Sequence, residues 1–342
     1  MARVKCVMMQ RDETLLLEPW FLHYGHLFGF ENLVVLDNGS TDAAVLATLE
    51  CYEQKGVRVI RGLDRPADPE KGRPSDFALK GEYARQIIAF WDRTAEYDFA
   101  FPVDCDEFLA VYTDGGYSIA KDDIHAALDE LIGEQRVMQI RYSPGNVPGV
   151  PGCFMPMNLP KRFVARNTVG LVDLGYHAIT SRAAEGVRET RLSYLHMHHK
   201  PFDMVVRHAE IKLRNRVDVE DKEALRRFEG PGKHLVDYFF MTEGDYLNRF
   251  AADGVYYRFP GVLDHFYSLG VRSGFFGTTR PVTPQLSSDL VELVRIVDRR
   301  IDAVLRFDAQ RYLTRYPDVA ASDMPAFYHY FAFGRGEGRK PD

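Results

Sequence analysis

The chain has 342 residues, enough for one large domain or a domain with a small appendage, and its 46% hydrophobic content can fill a sizeable core. A net charge of −6 argues against a nucleic-acid protein that works by neutralising phosphates. The four cysteines (Cys6, Cys51, Cys105, Cys153) show no zinc-like spacing, and no run approaches the roughly 18 apolar residues that a membrane-spanning helix needs. Met1 to Lys5 leads straight into a strand-like run with no signal peptide in view. A cytoplasmic protein with reduced cysteines is expected, and peripheral attachment to the inner membrane or to a complex stays open.

In chain order, Val4 to Met9 predicts a first strand, and Asp12 a helix cap. The helix that follows carries Leu16, Leu17, Trp20, Phe21, Tyr24, Leu27 and Phe28 at a three-to-four-residue period. His23 and His26 on it read as packed or polar-face residues. Asn32 to Leu36 is a second strand, closed by the turn Asp37-Asn38-Gly39-Ser40-Thr41-Asp42, in which Ser40 or Thr41 caps a helix over 43–55. Val57 to Ile60 is a third strand. Leu63 to Pro74 is a proline-rich loop, after which Ser75 or Asp76 opens a helix to Thr94 that turns Phe77, Tyr83, Ile87, Phe90 and Trp91 to a sheet. Phe99 to Val103 is a fourth strand.

Strands and helices alternating with short turns are the signature of a mostly parallel sheet flanked by helices, an α/β fold. Further on, Asp122 to Leu131 reads as helix and Val137 to Tyr142 as strand. Ser143 to Pro160, rich in proline and glycine, reads as a long loop. Leu192 to Met197 is a strand, Pro201 to about Arg216 a helix, Asp218 to Gly232 a charged exposed stretch, and Ser287 to Phe307 a long amphipathic helix. The expected division is a core over 1–215, a helical or irregular extension over 216–306 and a small helical module over 307–342.

The chemistry concentrates where strands end. Asp104-Cys105-Asp106-Glu107-Phe108 follows the fourth strand, and strand alternation points Asp104 and Asp106 the same way. Two close carboxylates repel, and Mn²⁺ or Mg²⁺ would remove the repulsion while sharing the site with a diphosphate. A solvated acidic turn is the plain alternative, since D-x-D is short and common. In parallel sheets ligands bind beyond the carboxyl ends of the strands, which also places Asp37 to accept hydrogen bonds from a base or ribose and Gly39 to let a ligand approach. His196 and His198 share one face of a strand end and can complete a carboxylate site for Mn²⁺. Lys200 and Lys212 can add positive charge for a diphosphate leaving group. His177 is a weaker candidate.

These motifs, in this order, resemble nucleotide-sugar-dependent glycosyltransferases of GT-A fold, family 2-like, over roughly Val4 to Leu213. The resemblance rests on Glu13, Leu17, Glu18 and Trp20, on Asp37 to Asp42, on Tyr83-Ala84-Arg85-Gln86, on Asp104 to Phe108, and on Leu195-His196-Met197-His198-His199-Lys200. Pro19 and the opening Gln10-Arg11-Asp12-Glu13 depart from the family pattern. The resemblance implies a Rossmann-like GT-A core and a metal-dependent enzyme. Such an enzyme moves a sugar from a nucleoside-diphosphate donor, a UDP-sugar first, to a glycan or lipid-linked acceptor in bacterial surface polysaccharide synthesis, with inversion. Glu13, Asp37, Asn38, Arg85, Asp104 and Lys200 would bind the nucleotide, and Asp104, Asp106, His196 and His198 the Mn²⁺ or Mg²⁺. Asp173 and Glu107 are candidates for the catalytic base.

A second resemblance covers the tail. Phe307-Asp308 to Ala320, then His329-Tyr330, Gly334 and Glu337-Gly338-Arg339, is similar to a short module appended to bacterial glycosyltransferases. It reads as short helices with aromatic knobs, too small for a core of its own and expected to pack on the main domain or a partner. Two other readings stay open. One is a glycan-binding scaffold on a GT-A fold. The other is a sugar-phosphate nucleotidyltransferase, against which the glycine-free Met8 to Glu13 counts. The oligomeric state is not legible.

Overall fold

The computed structural model describes residues 1–68, 74–214, 216–250, 255–273, 275–276, 290–297, 300–322 and 324–341. Its first layer is a seven-stranded sheet. Strands β1 (Val4–Gln10), β2 (Leu33–Asp37), β3 (Arg58–Ile60) and β4 (Phe99–Pro102) run parallel in the order β3-β2-β1-β4. Helices α1 (Leu17–Phe28), α2 (Ala43–Gln54) and α3 (Lys80–Thr94) form the crossovers.

The chain then supplies a second sheet with β5 (Glu107–Tyr112) and β6 (Tyr117–Ser118), followed by α4 (Lys121–Asp129). Strands β7 (Val137–Ile140), β8 (Ser143–Asn146), β9 (Cys153–Met157), β10 (Lys161–Ala165), β11 (Val187–Glu189) and β12 (Leu192–His196) divide between the layers. β10, β7 and β11 extend the first sheet past β4, while β9, β8 and β12 join β5 and β6 in a mainly antiparallel sheet of eight. Helices α5 (Phe202–Leu213), α6 (Lys222–Arg227) and α7 (Glu243–Asn248) follow. Then come β13 (Val255–Arg258), α8 (Pro260–Ser268), β14 (Glu292–Val297) and β15 (Arg300–Arg306). The chain closes with α9 (Ala309–Arg315), α10 (Pro317–Ala320) and α11 (Ala326–His329). No described helix is long and apolar enough to cross a membrane.

β1 is central and buried along nearly its whole length, as its apolar run Cys6 to Met9 requires. α1 buries Leu17, Trp20, Phe21, Tyr24 and Leu27. It starts five residues after Asp12, which caps something else. Asp12 adopts φ 49° and its carboxylate accepts from the backbone N–H of Thr41 (2.7 Å) and Asp42 (2.8 Å). Asp42, rather than Ser40 or Thr41, caps α2 by accepting from Ala44 and Val45, because the Ser40 hydroxyl is already committed to Asp37. On α3 the fully buried positions are Lys80, Gly81, Ala84, Ile88 and Trp91, leaving Phe77 and Phe90 largely exposed.

Two larger expectations are also overturned. Ser143 to Pro160 is not a loop but the antiparallel pair β8 and β9. Pro144 lies opposite Pro156, so the two missing N–H groups fall in one non-hydrogen-bonded pair, and Gly145 makes room for the Met157 side chain. Glu292–Val297 and Arg300–Arg306 are paired antiparallel strands rather than a helix, while 287–289 and 298–299 lie outside the described residues. The apolar spacing fits both periods, and the β-branched content and pairing with β13 decide for strand.

Candidate active site

Because β1, β2 and β4 are parallel, Gln10, Asp37 and the turn Asp104–Asp106 emerge on one edge. β12 runs antiparallel to β5 with His196 opposite Glu107, which brings the histidine segment to the same place. There Asp106 Oδ2 lies 3.4 Å from His196 Nε2 and 3.7 Å from His198 Nδ1. One ligand atom from each of the three residues falls within 4.8 Å of the others. The Met197 N–H donates to the Asp106 carbonyl oxygen at 2.7 Å and pins the two segments together. Burial pushes the Asp106 carboxyl up, but the hydrogen bonds and charges of His196 and His198 outweigh it and hold the group well below the carboxylate range. Burial lowers His196 and Asp106 raises it, with a net upward shift. One carboxylate and two imidazoles at the strand ends, His196 buried, Asp106 half-buried and His198 exposed, form a donor set that fits a divalent metal such as Mn²⁺.

Asp104, expected beside Asp106 on a metal, is held by two lysines. One carboxylate oxygen takes Lys80 Nζ and the other takes Lys161 Nζ at 2.7 Å. Burial raises the Asp104 carboxyl and the two ammonium charges lower it, the latter prevailing. The reason is the turn: Glu107 Oε2 accepts the Asp104 N–H at 3.0 Å and curls the chain, so strand alternation no longer holds. Lys80 and Lys161 were not legible as site residues, because one lies 24 residues before Asp104 and the other 57 after it. Gln10 was also missed.

Asp37 is buried, and its Oδ1 accepts from Gln10 Nε2 (2.8 Å) and Ser40 Oγ (2.6 Å). Asn38 follows it, with its N–H on the Gln10 carbonyl at 2.9 Å. Glu13 and Lys200 pair with each other across the edge, and Glu13 raises the Lys200 ammonium against the lowering effect of burial. Arg85 is turned to Glu82 of its own helix at 2.7 Å. Lys212 lies exposed on α5, and His177 Nδ1 is 2.6 Å from the Pro160 carbonyl oxygen.

The two candidate bases are both held within the chain. Glu107 is 1% exposed, with Oε1 3.0 Å from Lys161 Nζ and Oε2 on the Asp104 N–H, and burial raises its carboxyl. Asp173 accepts the N–H groups of Gly175 (3.1 Å) and Ala178 (2.8 Å) and closes a turn.

No family model matches the chain, and no curated protein matches it. Several solved structures do. TarS 1–349 of S. aureus in complex with UDP is 18% identical, with a TM-score of 0.27 over 43% of this chain and 37% of that one. A mannosyltransferase from Pyrobaculum calidifontis in complex with GDP-Man and Mn²⁺ is 15% identical, with a TM-score of 0.30 over 73% of each chain. Glucosyl-3-phosphoglycerate synthase from Mycobacterium tuberculosis with Mn²⁺ and UDP-glucose is 14% identical, with a TM-score of 0.32 over 62% of this chain and 77% of that one. The chain thus spans well under two thirds of the TarS fragment it matches. Superpositions this loose say nothing of the chemistry of this chain.

Proposed function

We propose that the chain is a metal-dependent glycosyltransferase of GT-A type. It transfers a sugar from a nucleoside-diphosphate donor, a UDP-sugar first, to a glycan or lipid-linked glycan acceptor. The observation that carries this reading is the cluster of Asp106, His196 and His198 on the strand edge that also presents Asp37. The two imidazoles favour Mn²⁺ over Mg²⁺, which prefers an all-oxygen shell. When bound, the metal supplies Lewis-acid stabilisation of the departing nucleoside diphosphate.

The chain's own residues do the rest. Asp37, fixed by Gln10 and Ser40, presents a carboxylate to the hydroxyls or N–H groups of the nucleoside. Lys200 provides positive charge once Glu13 exchanges its partner for a donor group. Asn38 and Arg85 flank the nucleoside side of the edge in this reading. Inversion at the anomeric carbon and a role in bacterial surface polysaccharide synthesis rest on the sequence resemblance alone.

Calorimetric titration with UDP and GDP, each with and without Mn²⁺, tests the reading. Micromolar binding of one nucleotide that disappears on chelation is the expected outcome. Absence of binding to both would leave a glycan-binding scaffold as the better account.

A further inference from the structure

The two carboxylates of the acidic turn have different partners, and those of Asp104 form a closed group. Lys80, at the start of α3, and Lys161, at the start of β10, are 7% and 4% exposed. Each takes one oxygen of Asp104. Lys161 also donates to Glu107 Oε1 at 3.0 Å and to the Gly175 carbonyl oxygen at 2.8 Å. The Tyr176 ring covers both ammonium groups, 4.3 Å from Lys80 Nζ and 5.8 Å from Lys161 Nζ. Two ammonium groups against Asp104 and Glu107 balance in charge, and the knot ties α3, the β4–β5 turn, β5 and β10 at one point.

We propose that Lys80 and Lys161 are positioning residues of the metal centre. They retain Asp104 as their counter-ion, outside the metal's ligand set, and so fix the turn that presents Asp106 to His196 and His198. This rests on the metal site proposed above. A metal that recruited Asp104 would take the carboxylate from buried Lys80 and leave Lys161 only Glu107 and the Gly175 carbonyl oxygen, a costly exchange. Those same ammonium groups repel a divalent ion at hydrogen-bond range. Asp106 has no such obligation, since its partners are two imidazoles that can themselves offer ring nitrogens to a metal, not ammonium groups that need a counter-ion.

The test is calorimetric titration of the full chain with Mn²⁺ alone, with circular dichroism and a melting curve on every variant. Wild type that binds no Mn²⁺ sinks the metal reading itself. If wild type binds, Asp106→Asn is expected to weaken Mn²⁺ by about 30-fold or more, as loss of a ligand should. Asp104→Asn is expected to weaken it about 10-fold, because Lys80 is left uncovered near the site. Adding Lys80→Met to Asp104→Asn removes both charges and is expected to restore affinity to within about threefold of wild type. Lys80→Met relieves repulsion but supplies no coordinating atom, so it cannot bring back the full affinity of a site that has lost a ligand. A double variant as weak as Asp106→Asn therefore overturns the proposal. If Asp104→Asn does not fold, the charge-balanced double variant against wild type still decides. A double variant that also fails to fold counts against the proposal, since it leaves no buried charge unpaired.

Discussion

A methyl group on residue 81 would sit 2.3 Å from the carbonyl oxygen of Val172 and 2.7 Å from that of Asp173. Gly81 is next to Lys80, so its missing side chain lets the loop that carries Tyr176 lie on the first turn of α3. Gly81→Ala is expected to destabilise the fold by about 1–3 kcal/mol through overpacking against backbone, read as a lower melting temperature. It should also loosen Mn²⁺ binding, because Lys80 moves with the turn. At this scale the sequence anticipated where Asp37 lies and that Asp106, His196 and His198 come together, because their motifs are local. It misled on Asp104, because the alternation argument assumes a strand that continues, whereas the Glu107 side chain bends the turn. The apolar residues expected of α3 shifted for a related reason: Lys80 occupies a buried position that an amphipathic pattern assigns to solvent.

At the scale of elements, α1 and α8 meet through histidines. His23 Nδ1 and His265 Nε2 lie 3.0 Å apart, and the rings of His26 and His265 are 5.6 Å apart. Lys121 Nζ binds the His26 carbonyl oxygen at 3.0 Å and adds positive charge. Burial lowers His265 to about 3, with His26 adding to the shift, and burial lowers His23 well below the ordinary value of 6.5. In the unfolded chain these groups take up protons below pH 6.5, while in the folded chain they resist. Stability is therefore unaffected above 6.5 and falls as the pH drops from 6.5 toward about 3, by up to about 1.4 kcal/mol per pH unit for each proton withheld. The melting temperature of wild type should fall across that window more steeply than that of His265→Gln. Equal slopes would show that other groups control acid unfolding. The α1–α8 contact was invisible in the sequence, where His23 reads only as a packed residue of one helix. The pair β14 and β15 was misread because apolar positions this dense fit either period, and only the neighbouring strand chooses.

At the scale of the whole molecule, the C-terminal helices are built into the main core. Phe327 is 1% exposed and sits among Tyr112, Tyr117, Tyr257 and Phe259, with ring centroids 5.4, 6.0, 5.0 and 5.8 Å away. Its carbonyl accepts the Tyr257 hydroxyl at 3.0 Å, and the Tyr328 ring packs 4.5 Å from Tyr142. Phe327→Ala is expected to cost about 3–5 kcal/mol. The loss should appear in a single unfolding transition monitored by both near- and far-ultraviolet dichroism. Two separate transitions would mean that the tail folds on its own.

By itself the sequence determined the parallel half of the fold and the edge on which Asp37 and the acidic turn lie. Periodicity, turn residues and strand order are set within a few neighbours along the chain, and Asp37 and Asp106 inherit their place from strands that local pattern already specifies. Only the tertiary structure decided that Asp104 belongs to two lysines, that a proline-rich stretch is paired as strands, and that the tail helices complete the core. Each of these depends on which distant segment supplies a charge, a pairing edge or an aromatic face, and no local spacing carries that information.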